Sequence, residues 1–280
     1  MEVYLNGQFV EESQAAIGID DRGFLFGDGV YEVVHVYGGR LFAWDGHMAR
    51  LERSLAAIGI GGVSTAQLRQ AADRLLASFP DPDGALYVEV TRGVQRRSHA
   101  PPAPGVLAPT VLMWIRPVTP FPAAMVADGV SVVTVPDDRW AKVWIKTIGL
   151  LPNVLAKGRA LEAGAFDAIF VRDGMVTEAT SANVFMVRDG VLRTAPVSNY
   201  ILPGITREVV LKLAQAYHIP VSLLPFSPEE MKRADEVFLC GTLTEVMPVT
   251  RIDDQVVGHG AGPVARRLLA GLHQEVGKGA

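Results

Sequence analysis

With 280 residues, 49% of them hydrophobic and 20% charged, the chain has globular composition and room for one large domain or two modest ones, which excludes disordered, collagen-like and coiled-coil classes. A formal net charge of −4 offers no basic footprint for nucleic acid or an anionic membrane, and the single cysteine, Cys240, excludes a disulfide framework and a cysteine-based zinc site. No apolar run nears the roughly 18 residues that span a bilayer, and residues 1–7 are too polar for a signal peptide, so a soluble, cytoplasmic protein is expected.

Residues 3–10 form a hairpin in this reading, because Asn6 and Gly7 suit a type I′ turn between short apolar alternations. A strand over 30–37 turns at Gly38 and Gly39 into 40–42. A helix is expected over 46–58, with Asp45 as its cap and Met48, Leu51, Leu55 and Ile58 on one face. Ser64 and Gln67 have capping-box spacing and open a second helix that reaches residue 79. Strands 86–92 and 111–115 flank a basic, proline-rich loop holding Arg96, Arg97 and His99. Pro117, Pro120 and Pro122 forbid a helix, so residues 117–122 are expected to link a smaller domain over 1–116 to a larger one over 123–280. Beyond the linker come strand 130–135, helix 153–163, strand 168–171, and strands that turn at Asp173 with Gly174 and Asp189 with Gly190. Helices open near Gly204 and at Ser227, and a last one covers 263–275. Strands and helices mix in both parts, which gives an α+β or α/β fold in two domains.

The basic residues are uneven in kind: twenty are arginine and six are lysine, and no lysine precedes Lys142. Any catalytic amine is therefore one of six positions. Lys146 stands out because Trp144, Ile145 and Ile148 flank it, and an ammonium in apolar surroundings becomes a nucleophilic amine when its pKa falls. The same pattern also fits a strand-end lysine reaching solvent. Glu178 precedes a small polar run, Thr180 to Asn183, between apolar strands, which fits either a functional carboxylate or a plain turn. Gly204, Ile205 and Thr206 open a helix whose free N–H groups and dipole favour an anion, or else form a simple cap. Arg97 with His99 has the donors to grip a carboxylate, and equally the make-up of a solvated basic loop.

Taken together and in order, these features resemble the fold-type IV (class IV) aminotransferases, which use pyridoxal 5′-phosphate. The resemblance spans nearly the whole chain and is tightest over 21–32, 47–51, 146–157, 177–185, 204–207 and 244–249. It implies a smaller N-terminal α/β domain, a larger C-terminal pseudo-barrel domain that binds the cofactor, and no catalytic metal. It further implies Lys146 as the Schiff-base lysine and proton shuttle, and Glu178 as the partner of the pyridine nitrogen. Arg50 resembles the phosphate-binding arginine, with the backbone of Ile205, Thr206, Gly241 and Thr242 completing the phosphate cup. Leu202 resembles the apolar residue on the ring face.

Tyr31, Arg97 and His99 are similar to the carboxylate trap of D-amino acid aminotransferases, in which the loop arginine and histidine arrive from the partner subunit of a homodimer. The implied donors are D-alanine and D-glutamate and the implied acceptors pyruvate and 2-oxoglutarate. His35, Arg96 and Gly241 depart from that pattern. A branched-chain L-amino acid aminotransferase is the main alternative, ranked second because it leaves Arg97 and His99 without a task. A 4-amino-4-deoxychorismate lyase on the same fold is the third.

Overall fold

The computed structural model describes residues 1–103, 105–258 and 260–278. The chain divides into two compact units. Unit 1 comprises Met1–Val118 with Ile145–Leu150, and unit 2 comprises Thr119–Trp144 with the described residues from Leu151 onward.

Unit 1 is built on a six-stranded antiparallel sheet. Its strands are β1 (Glu2–Leu5), β2 (Gln8–Glu11), β3 (Gly29–Tyr37), β4 (Arg40–Leu41), β5 (Gly84–Thr91) and β6 (Thr110–Pro117), in the order β2-β1-β6-β5-β3-β4. Asn6 and Gly7 both take positive φ, 50° and 89°, as a type I′ turn requires. Period-two alternation on β3 puts Val30, Val34 and Val36 into the core with Glu32 among them, and leaves Tyr31, Val33, His35 and Tyr37 on the other face. Helix α2 (Trp44–Ile58) covers the valine face with Met48, Leu51 and Leu55. Helix α3 (Thr65–Ser78) buries Leu68, Ala72 and Leu75 beside β1 and β6. Each large apolar side chain removed from water in this way is worth about 1.5–3 kcal/mol. A short helix, α1 (Arg22–Phe26), precedes β3; Asp21 caps it by accepting from the Gly23 N–H at 2.8 Å.

The segment Ile145–Leu150 returns to unit 1 and extends the sheet edge beside β3. Thr147 bridges Val30, the Tyr31 N–H donates to the Lys146 carbonyl at 3.0 Å, and the Ile148 N–H donates to the Gly29 carbonyl at 3.1 Å. By that antiparallel register Lys146 and Tyr31 share a sheet face.

Unit 2 holds strands β7 (Val130–Pro136), β8 (Asp167–Arg172), β9 (Met175–Ala179), β10 (Asn183–Arg188), β11 (Val191–Thr194), β12 (Val221–Ser222), β13 (Glu236–Gly241), β14 (Glu245–Ile252) and β15 (Gln255–Val256). Pairing runs β12-β11-β10-β13-β14-β7-β8-β9, and β9 pairs again with β10 through Glu178 and Asn183. Six strands therefore close into a ring, which removes their free edges. Val132, Ile169, Val184, Met186, Leu239, Met247 and Val249 belong to the core of this unit together with Phe226 and Met231. Helix α5 (Leu151–Glu162) places Ala156 and Ala160 against Ala168 and Phe170, where small residues allow close helix–sheet approach. Helices α6 (Ile205–Ala216), α7 (Pro228–Lys232) and α8 (Pro263–Lys278) complete the unit. Ser227 and Glu230 form a reciprocal capping box on α7.

Three sequence expectations change. Helix α2 starts at Trp44, with Ala43 at the cap position in the left-handed region, so Asp45 does not cap it. Asp45 instead lies in the first turn, where its charge meets the positive end of the helix dipole. Helix α4 (Ala123–Asp128), which sequence reading did not foresee, begins directly after Pro122. Strands β13 and β14 also escaped it, because their buried runs, Glu236–Cys240 and Val246–Val249, carry no alternation.

Candidate active site

In unit 1 the Lys146 amine lies 4.1 Å from the centroid of the Tyr31 ring, and its backbone N–H donates to Ser54 Oγ at 3.3 Å. Lys146 is half-buried and so remains reachable. On the opposite face of β3, Glu32 is fully buried and binds two α2 residues. Arg50 donates through Nε to Oε1 at 2.7 Å and through a terminal nitrogen to Oε2 at 2.8 Å; His47 Nδ1 lies 2.7 Å from Oε2. Burial works to raise the Glu32 pKa, but the Arg50 and His47 hydrogen bonds outweigh it and hold the carboxyl at about 2. Burial lowers the His47 pKa despite Glu32, so at neutral pH the ring is uncharged. An ionised carboxylate only accepts, so Nδ1 carries the proton and donates it. The cluster clamps the guanidinium of Arg50 in one orientation.

Arg97 and His99 lie on an exposed loop of the same unit, and both rest on Phe26 of α1. The Arg97 guanidinium is 5.3 Å and the His99 ring 5.5 Å from the Phe26 centroid. Within the described chain neither reaches Tyr31 or Lys146. Arg96 is exposed beside them, and His35 stacks on Tyr37 with ring centroids 3.7 Å apart.

In unit 2 Glu178, at the end of β9, accepts from Arg139 at 2.6 Å, from Asn183 Nδ2 at 3.3 Å and from the Leu202 N–H at 2.9 Å. Arg139 is itself held bidentately by Asp137, at 2.9 and 2.8 Å. Burial works to lower the Arg139 pKa, but Asp137 and Glu178 outweigh it and raise it, so it is a permanent cation beside Glu178. Asn183 also donates to the Leu202 carbonyl at 3.0 Å, which ties the Leu202 segment to β10. A side chain at Gly204 would overlap Asn183 Oδ1, and one at Gly241 would approach the Ser181 carbonyl to 3.1 Å. Glu178, Leu202, Gly204, Ile205, Thr206 and Gly241 are thereby gathered around Asn183 and the 181–182 turn, and Thr242 follows Gly241 at the end of β13.

The cap of α6, Gly204, gives no side-chain acceptor to the first N–H groups of the helix. Backbone N–H groups of the first turn and the positive end of the dipole thus face no side-chain cap and suit an anion. A buried carboxylate held by three donors and a helix start without a side-chain cap fit a cofactor with a protonated pyridine nitrogen and a phosphate.

Arg139, Asn183 and Glu32 carry much of this geometry and were not singled out as site residues from sequence. Glu32 had a signal, a carboxylate in a row of core-facing valines. Asn183 stood within the polar run after Glu178. Arg139 had only the local charge of Asp137 two residues before it, since Glu178 meets it through the fold. Among the described residues no cluster of His, Cys, Asp or Glu is placed to hold a metal, and no helix is long and apolar enough to cross a membrane.

Comparison with known proteins gives a consistent result. The family model for amino-transferase class IV matches residues 29–252. A D-alanine aminotransferase of Bacillus licheniformis is 42% identical over 278 residues, 99% of this chain and 97% of that protein. One of Staphylococcus aureus (strain COL) is 39% identical over 277 residues, 98% of each. Among solved structures, the branched-chain amino acid aminotransferase of Escherichia coli superposes with a TM-score of 0.90 at 25% identity, covering 98% of this chain and 93% of that one. Another branched-chain amino acid aminotransferase, solved with pyridoxamine 5′-phosphate, gives 0.89 at 25% identity, over 99% and 94%.

Proposed function

The chain belongs to the class IV aminotransferases, and on that premise we propose that it transfers the amino group of D-amino acids, D-alanine and D-glutamate, to 2-oxo acids such as pyruvate and 2-oxoglutarate. The observation that carries the D-specific reading is near-full-length similarity to proteins named D-alanine aminotransferase. The exposed pair Arg97 and His99 supports it, because a carboxylate trap gives both residues a task.

Class IV aminotransferases use pyridoxal 5′-phosphate, which when bound supplies an electron sink for the bond broken at the substrate α-carbon. We propose that Lys146 tethers it and moves the proton at that carbon, because its amine is reachable and held over Tyr31. Glu178 would face the pyridine nitrogen; Arg139 and Asn183 hold it in place. Arg50 and the backbone of Ile205, Thr206, Gly241 and Thr242 would take the phosphate, and Leu202 would cover the ring. A guanidinium fixed by Glu32 needs no reordering when the phosphate arrives. Tyr31, Arg97 and His99 would hold the substrate carboxylate in a homodimer. Fixing the carboxylate on one side decides which enantiomer presents its α-proton to Lys146.

The test compares D- and L-alanine, glutamate and leucine as donors with 2-oxoglutarate. Turnover of the D-enantiomers is expected. Turnover of L-leucine in their place would establish the branched-chain alternative, and pyruvate release from aminodeoxychorismate without a keto acid would establish the lyase.

A further inference from the structure

The loop that carries Arg97 and His99 is exposed, yet one buried side chain is tied to it at several points. Arg22, the first residue of α1, is 4% exposed. Its terminal nitrogen donates to the Ser98 carbonyl at 2.7 Å and to Gln95 Oε1 at 3.3 Å, while Nε donates to Asp28 Oδ2 at 2.8 Å. Asp28 is held in turn by Arg92, whose Nε and terminal nitrogen reach its two oxygens at 2.7 and 2.9 Å. Arg92 is anchored on the Ile58 and Gly59 carbonyls at the end of α2. The Arg22 N–H donates to the Gly93 carbonyl at 3.0 Å, and the Gln95 N–H to the Asp20 carbonyl at 3.0 Å. Below them Asp21 accepts from Thr91 and Thr110 at 3.0 and 2.6 Å. A chain of charge-assisted hydrogen bonds therefore runs from α2 through Arg92, Asp28 and Arg22 to the peptide joining Ser98 to His99.

The Ser98 carbonyl lies between the two residues of the trap. Holding that carbonyl, with the Gln95 N–H held on Asp20, restrains the stretch of backbone from which both side chains leave. Phe26, four residues after Arg22 on the same short helix, is the surface on which both then rest. A free exposed loop pays backbone entropy for each residue ordered on binding, and a loop already ordered does not.

We propose that Arg22 is a positioning residue that presets the 95–99 loop for the carboxylate of the substrate, with Asp28 and Arg92 as its anchor. The proposal rests on the reading of Arg97 and His99 as the carboxylate trap. Arg22 touches neither substrate nor cofactor; it acts through the loop.

The experiment uses the holoenzyme and measures steady-state KM and kcat for D-alanine and pyruvate, with inhibition by propionate as a probe of carboxylate binding. R22M is expected to raise both KM values and the propionate inhibition constant about tenfold or more. The change in kcat should stay below about threefold, and the visible band of the bound cofactor should be unmoved. R22K, which retains a charge but has its donors on a single nitrogen, should recover part of the loss. Q95A, which removes one side-chain acceptor of Arg22, should give a smaller change in the same direction and stands in if R22M does not fold. In an R97A background R22M should add little, because both act on one element. An effect confined to kcat and thermal stability, or full additivity with R97A, would overturn the proposal. If R97A itself leaves KM and propionate inhibition unchanged, the trap reading has failed; if R97A acts and R22M and Q95A do not, only the role of Arg22 has failed.

Discussion

Replacing Glu32 by glutamine tests the buried cluster behind β3. The glutamine keeps the shape but removes the charge that Arg50 faces at 2.7 and 2.8 Å. Removing one partner of a buried ion pair costs about 3–5 kcal/mol. The titration of Glu32 gives an independent figure. Its carboxyl falls from an ordinary 4.5 to about 2 in the folded protein, and at about 1.4 kcal/mol for each tenfold change in proton affinity this corresponds to about 3 kcal/mol. Because the folded value is the depressed one, that stability is complete above pH 4.5 and is lost as the pH falls toward 2. Thermal melts of the wild type and E32Q should differ by roughly 6 °C or more at pH 7, and the gap should narrow by pH 3. Cofactor affinity, followed by titration of the apoprotein with pyridoxal 5′-phosphate, should weaken in the variant because Arg50 loses its orientation. A pH 7 difference under 2 °C, or a gap equally wide at pH 3 and pH 7, would refute the assignment of a buried, ionised Glu32.

Lys146→Ala should abolish transamination while the fold persists, because the half-buried side chain contributes little to the core; a melt and a D-alanine assay decide this. Arg97→Ala should raise the KM for D-alanine by about ten- to a hundredfold, the equivalent of losing a charge-assisted bidentate pair worth about 1.5–3 kcal/mol. An unchanged KM would remove Arg97 from the substrate site. Cys240 is buried on β13 and burial pushes its thiol pKa up, so a thiol-specific chromogenic reagent at pH 8 should leave it unmodified in the native protein and label one thiol after denaturation.

The hairpin at Asn6 and Gly7 and the turns at Gly174 and Gly190 were legible because paired residues at positive φ tolerate little besides Asn, Asp and Gly. The helix start at Gly204 was legible for the same kind of local reason. What the sequence concealed depends on contacts between distant residues. Asp45 looked like a cap because it is a good cap residue, yet the chain enters α2 two residues earlier through a left-handed Ala43. Arg139 meets Glu178 across 39 positions, and Lys146 meets Ser54 across 92. No periodicity encodes such pairs. Glu32 lay between the two cases: its oddity among valines was visible, whereas its partners were set only by α2 packing on the sheet.

The return of Ile145–Leu150 to the first unit bears on how the protein is made. A ribosome releases β3 and its sheet neighbours well before it releases Lys146, so the edge of β3 beside Gly29 and Tyr31 waits without its hydrogen-bond partner during synthesis. The Lys146 amine is then brought to Tyr31 by one of the later pairings of that sheet. A fragment ending at Val118 would carry Tyr31, Arg50 and Arg97 but no lysine at all, so the first unit gains its amine only with its last segment.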